Sequence, residues 1–150
     1  ISSGLVGSEM CIRDSHTMDF DMDLAKDESK NNPYFYAQYA YVRCCSILSK
    51  ASYDPNKEID ANEIASCYEI VSKAINYPVF IKEYALERSP HSLVHFIKEF
   101  SAAFHSFYEK SPVITDNEVI SNSRLLITVL TKQILKNSFN TLNVTPLEKM

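Results

Sequence analysis

A chain of 150 residues with 45% hydrophobic content is one domain's worth and can bury a substantial core. No apolar run approaches the roughly 18 residues that a membrane span needs, and no charged stretch leading into an apolar one marks a secretory leader. The net charge is −4, but three basic and seven acidic residues precede Asn31, so the body from Asn31 onward is formally neutral. That excludes a protein that grips nucleic acid by bulk charge and leaves room for a local basic stripe.

Both glycines, Gly4 and Gly7, precede His16. Without glycine, the tight primed turns of hairpins are hard to make, and a phosphate-cradling glycine loop is impossible. Helices joined by polar, proline-marked loops remain. Cys11, Cys44, Cys45 and Cys67 contain no CxxC pair. Cys44 and Cys45, adjacent on a helix, point about 100° apart, which suits neither a metal nor an ordinary disulfide. We read reduced, packed thiols in a cytosolic protein.

Taken in order, residues 1–15 do not fit the rest. Gly7-Ser-Glu-Met-Cys-Ile-Arg-Asp-Ser15 looks like a translated sequencing adapter, predicts disorder or weak helix, and receives no function. Residues 16–30 form an acidic connector. Alternation at Met18, Phe20, Met22 and Leu24 suggests an extended piece, while Asp23–Lys30 could equally begin a short helix. It reads as a junction after something larger. The body, 31–150, is predicted to be an all-α bundle of four long helices and one short one. The first runs from Pro33, with Asn32 as its cap, to about Ala51. Its small-residue seam, Ala37, Ala40, Cys44, Ile47 and Ala51, allows close packing.

Residues 52–56 are a loop. A second helix is predicted over Ala61–Asn76 with Ile64, Cys67, Tyr68, Val71 and Ile75 inward. Pro78 then opens a shorter helix offering Val79, Phe80, Tyr84 and Leu86 for burial. Ser89-Pro90 caps and starts a central core helix, in which Leu93, Phe96, Phe100, Phe104 and Phe107 recur at spacings of three and four. After a break at 111–117, the last helix covers Glu118–Leu142 with Ile120, Ile127, Leu130 and Ile134 inward, and Asn143 fits a left-handed terminator.

The residues that carry chemistry lie on the first helix. Tyr36, Tyr39, Arg43, Ser46 and Lys50 fall within an arc of roughly 80°. Aromatic, basic and hydroxyl groups along one stripe suit unstacked bases and phosphates, although tyrosines at this spacing also serve as half-buried packing. On the last helix, Arg124, Thr128, Lys132, Lys136 and Asn140 form a polar, basic ridge, either solvated or positioning phosphates. Gln38 and Asn137 could read bases or lock packing. His91 and His95 lack a third ligand. His105 and Ser106 diverge on their helix with no acid to orient the imidazole, so His105 reads as structural. No paired carboxylates suggest acid–base catalysis.

The segment Asn31-Asn-Pro-Tyr-Phe-Tyr-Ala-Gln-Tyr-Ala-Tyr-Val-Arg43 resembles the helix that opens the anticodon-binding domain of class I arginyl-tRNA synthetases, the DALR type. Met18–Ala25, Phe104-His-Ser-Phe-Tyr108, Arg124-Leu125, Leu135-Lys-Asn137 and Pro146–Met150 are similar to further pieces of that domain, in the same order. Four positions depart from the pattern. Tyr41 stands where the family usually has histidine, Ser138 and Asn143 where glycines are common, and Lys149 where arginine is. The ATP-binding signatures of the family, a His-Ile-Gly-His type and a Lys-Met-Ser-Lys type, occur nowhere in the chain.

The resemblance implies a C-terminal part of a longer arginine–tRNA ligase, inactive alone and needing no cofactor, with ATP used by the missing catalytic domain. Its partners would be arginine-specific tRNA and that catalytic domain, with no DNA and no membrane, in a monomer. Tyr36 and Tyr39 would stack on bases, Arg43 and Lys136 would hold phosphate, and Met150 would lie near the anticodon loop. The rivals are an anticodon module of another class I synthetase, a free-standing RNA-binding domain, a helical protein-interaction domain, and an enzyme acting alone.

Overall fold

The structure, a computed structural model, describes residues 22–27, 32–88 and 90–149. The adapter-like segment, the start of the connector and the Ser89 cap lie outside the described residues. Six helices occur among those described: α1 Met22–Lys26, α2 Pro33–Leu48, α3 Ala61–Ser66, α4 Tyr68–Glu87, α5 Pro90–Lys110 and α6 Glu118–Thr141. The described residues contain no strand. The all-helical expectation therefore holds, and the connector forms the short helix α1 over its described part.

α2 and α4 each pack on both α5 and α6, so these two helices stand at opposite corners of the bundle. The small-residue seam makes that possible for α2. Ala37, Ala40, Cys44 and Ile47 are buried, and their size lets the backbone approach its neighbours closely. Leu93, Phe100, Phe104 and Phe107 of α5 fill the centre as their spacing predicts, joined by Ile70 and Leu135. The Asn32 side chain accepts from Tyr34 N at 3.0 Å, satisfying an end donor of α2.

Sequence and structure part at α4. The expected helix over Ala61–Asn76 is broken at Cys67 (φ −96°, ψ 30°), and the expected start at Pro78 is instead the interior of a continuous 20-residue helix. Proline inside a helix removes the N–H that would bond to the carbonyl of residue 74, a penalty of about 3 kcal/mol. Aromatic packing on both sides holds α4 together. Tyr77 and Phe80 meet Phe96 of α5 at ring-centroid distances of 5.5 and 4.6 Å. The break at Cys67 turns Cys67 and Ile70 inward and leaves Tyr68, Ile75, Val79 and Leu86 exposed, contrary to expectation. Leu130, expected inward on α6, is exposed as well, beside Ile75 and Pro78 in an open apolar groove.

α6 ends as expected. Asn143 takes the left-handed conformation at φ 57°. Val144 N donates to Phe139 O at 2.9 Å and Asn143 N to Asn140 O at 3.0 Å, the paired bonds of a Schellman termination. The polar side chains at the other end of α6 fasten loops. Asn122 accepts from Asp54 N at 3.0 Å and donates back to Asp54 O at 3.1 Å, and Ser123 accepts from Asp60 N at 2.8 Å.

Candidate nucleic-acid interface

The outward face of α2 meets the flank of α5, and their rings assemble a platform. The His105 ring lies 4.6 Å from Tyr36 and stacks on Tyr39 at 5.6 Å, with 26° between the planes. His105 Nε2 lies 3.3 Å from the backbone oxygen of Tyr36, to which it can donate. Burial pushes the pKa of His105 below its usual 6.5, against the opposing pull of that backbone oxygen, so the imidazole is neutral near pH 7. Burial also raises the pKa of the Tyr36 phenol, which therefore stays protonated.

Arg43 sits between two tyrosines. Its guanidinium carbon is 5.0 Å from the Tyr39 ring centroid and 4.7 Å from that of Tyr108. Nη1 donates to the Tyr108 hydroxyl at 3.3 Å and Nη2 to the Tyr39 hydroxyl. A cation held over two aromatic faces is pre-oriented, at a gain of about 0.5–1 kcal/mol per exposed contact. Next to it opens a cleft of ≈ 340 Å³ lined by Arg43, Ser46, Lys50, Tyr108, Pro112 and Ile114. Tyr39, Ser46 and Lys50 are exposed, while Tyr36 and Arg43 are partly covered.

The predicted stripe is therefore one continuous surface, with Tyr36 doubling as packing. Sequence reasoning missed Tyr108 as a member and gave His105 no place beside the stripe. Their signal was polar-tipped rings three residues apart, just off the aromatic core row of α5.

The other predicted residues divide. Gln38 is fully buried, so it reads no base. Its Nε2 donates to the backbone oxygen of Leu147 at 2.6 Å. Arg124 is not part of a solvated ridge. Its Nε pairs with Glu63 Oε1 at 2.7 Å, Nη1 donates to Pro112 O at 2.6 Å, and the two side chains are only 14% and 15% exposed. Thr128 is buried with its hydroxyl donating to Arg124 O at 2.9 Å. The ridge reaches solvent only toward its far end, because α6 packs this side against its neighbours.

Lys132 is half-exposed, with Nζ 5.9 Å from the Tyr41 ring centroid. Tyr41, the departure from the family histidine, is itself buried in the core, and burial pushes its pKa up to about 12. Lys136 and Asn137 are exposed on α6, where Asn137 accepts from Gln133 Nε2 at 2.8 Å, and neither lines the Arg43 cleft. Met150 lies outside the described residues. Cys44 and Cys67 are buried free thiols with raised pKa, and burial is the leading cause in each. Among the described residues there is no group of three or more His, Cys, Asp or Glu placed to hold a metal, and no helix long and apolar enough to cross a membrane.

This all-helical bundle with an aromatic and basic face on its first long helix has relatives. The chain belongs to the DALR anticodon binding domain family, whose model matches residues 37–150. It is 38% identical over 145 residues to the arginine–tRNA ligase of Desulforamulus reducens, covering 91% of this chain and 26% of that protein. The arginine–tRNA ligase of Halorhodospira halophila is 35% identical over 143 residues, covering 88% of this chain and 24% of that protein. The chain thus spans about a quarter of the length of the curated relatives it matches. Among solved structures, the arginyl-tRNA synthetase of Thermus thermophilus superimposes with a TM-score of 0.79 at 22% identity, over 96% of this chain and 25% of that one. That likeness establishes the fold.

Proposed function

We propose that the α2–α5 face binds the anticodon loop of an arginine tRNA, as the anticodon-binding part of an arginine–tRNA ligase. The observation that carries this reading is Arg43 held between Tyr39 and Tyr108 at the mouth of a cleft with Ser46 and Lys50. Unstacked bases offer flat faces to the rings, and the flanking phosphates meet Arg43 and Lys50. Single-stranded loops are where proteins read RNA in this manner. Arginine activation with ATP belongs to the portion of the parent enzyme outside this chain, and the chain alone catalyses no aminoacylation.

Filter binding of the chain to arginine tRNA and a non-cognate tRNA across a salt series tests the proposal. We expect a cognate preference, and an affinity for arginine tRNA that Tyr39→Ala lowers by about 1–3 kcal/mol, the usual worth of one stacked base. Equal affinity for both tRNAs, or indifference to Tyr39→Ala, would overturn it.

A further inference from the structure

One buried side chain fastens the segment after α6 to α2. The Gln38 carboxamide is 0% exposed and donates to Leu147 O, 109 residues further along the chain. Its Oε1 is buried with no hydrogen-bond partner among the described residues. A buried carboxamide is a costly choice for packing alone, because an unpaired polar atom inside a protein forfeits its hydration. It does supply a donor to a backbone oxygen that a hydrocarbon side chain could not satisfy.

The segment it holds builds a second cleft. Glu148 and Lys149 form one side of a ≈ 560 Å³ space faced by Val42 and Cys45 of α2, by Ser49 just after it and by Lys132 of α6. Ser46 lines both this cleft and the one beside Arg43. The two clefts therefore adjoin at Ser46, with Arg43 on one side and two lysines contributed by different elements on the other. Two ammonium groups and the Ser46 hydroxyl are donors suited to phosphate oxygens (the Ser49 hydroxyl donates to Ser46 O at 2.8 Å), while Glu148 on the same wall disfavours a densely charged free anion.

We propose that Gln38 is a positioning residue that latches the segment after α6 onto α2, so that Lys149 and Lys132 form a second, phosphodiester-binding stretch of the RNA face. The inference rests on the RNA-binding reading of the first cleft and extends it. Gln38 touches no RNA and acts only through the segment it holds.

The test combines Gln38→Met with removal of residues 146–150, singly and together. In the free protein, backbone order parameters of 147–149 should fall from the rigid range near about 0.85 to below about 0.6 in Gln38→Met, with α5 and α6 unchanged. For RNA, Gln38→Met and the truncation should lower affinity by the same factor, and the combination by no more than either. Unchanged order parameters in Gln38→Met, or a further loss of affinity on adding it to the truncated chain, would overturn the latch.

Should Gln38→Met fail to fold, the Gln38 side-chain amide protons of the unsubstituted chain serve instead. Their slow exchange should vanish on truncation, and persistence would refute the proposal. A chain that binds no RNA at all would sink the functional reading, while the order-parameter measurement still decides the latch.

Discussion

Arg124 and Lys50 carry the same formal charge and are built for different work. The Arg124 guanidinium closes a largely covered pair with Glu63 and ties the loop at Pro112. Arg124→Met leaves the Glu63 carboxylate without its partner and should lower stability by about 2–3 kcal/mol, below the roughly 3–5 kcal/mol of a fully buried broken pair because some solvent remains. It should not change the salt slope of RNA binding. Lys50→Met should do the reverse, leaving urea midpoints unmoved and flattening the slope by about 0.7–1.

His105 supplies a pH signature at the same scale. Its folded-state pKa is depressed below 6.5, so the unfolded chain takes up a proton more readily than the folded one. Its contribution to stability is full above pH 6.5 and is lost as pH falls below it toward the folded value. The fall in Tm between pH 7 and pH 5.5 should be steeper for the wild type than for His105→Gln.

At the scale of elements, α2, α5 and α6 were legible because each carries an inward row at helical spacing, helped by the Asn32 cap on α2 and the left-handed Asn143 after α6. α4 was not. Local rules put a boundary at Pro78, whereas packing of Tyr77 and Phe80 on Phe96 outweighs the missing hydrogen bond. The real break at Cys67 carries no proline, glycine or side-chain cap to announce it. The exit from α4 was equally silent, since Arg88 adopts the left-handed conformation at φ 50° while donating to Tyr84 O at 3.0 Å. A side chain with a Cβ is strained there. Arg88→Gly should therefore raise unfolding free energy by about 0.5–1 kcal/mol, read by urea denaturation. The candidate site was legible where one helix carries it, and illegible where a second helix contributes His105 and Tyr108, since periodicity is blind to which helices meet.

For the whole molecule, the diagonal placement of α2 and α4 separates two surfaces. Tyr68, Ile75, Val79 and Leu86 lie within an arc of about 40° on α4 and face solvent, away from the Tyr/Arg face. They contribute little to the bundle's own stability. Ile75→Gln and Leu86→Gln should each change it by less than about 0.5 kcal/mol. Phe104→Ala, in the centre, should cost about 3–5 kcal/mol. Comparable urea midpoints for the two kinds of variant would contradict this division of core from surface.

The bond between Gln38 and Leu147 joins groups 109 residues apart. During synthesis a chain emerges from its first residue onward, at roughly 5–20 residues per second. α2 is therefore exposed long before the partner of Gln38 exists, and the bundle can pack before that bond forms. The second cleft closes only after α6 has been made, so an interrupted transcript that ends between Asn143 and Leu147 would yield a bundle with half its groove. Translation order thus makes residues 147–149 a clasp that shuts over helices already made.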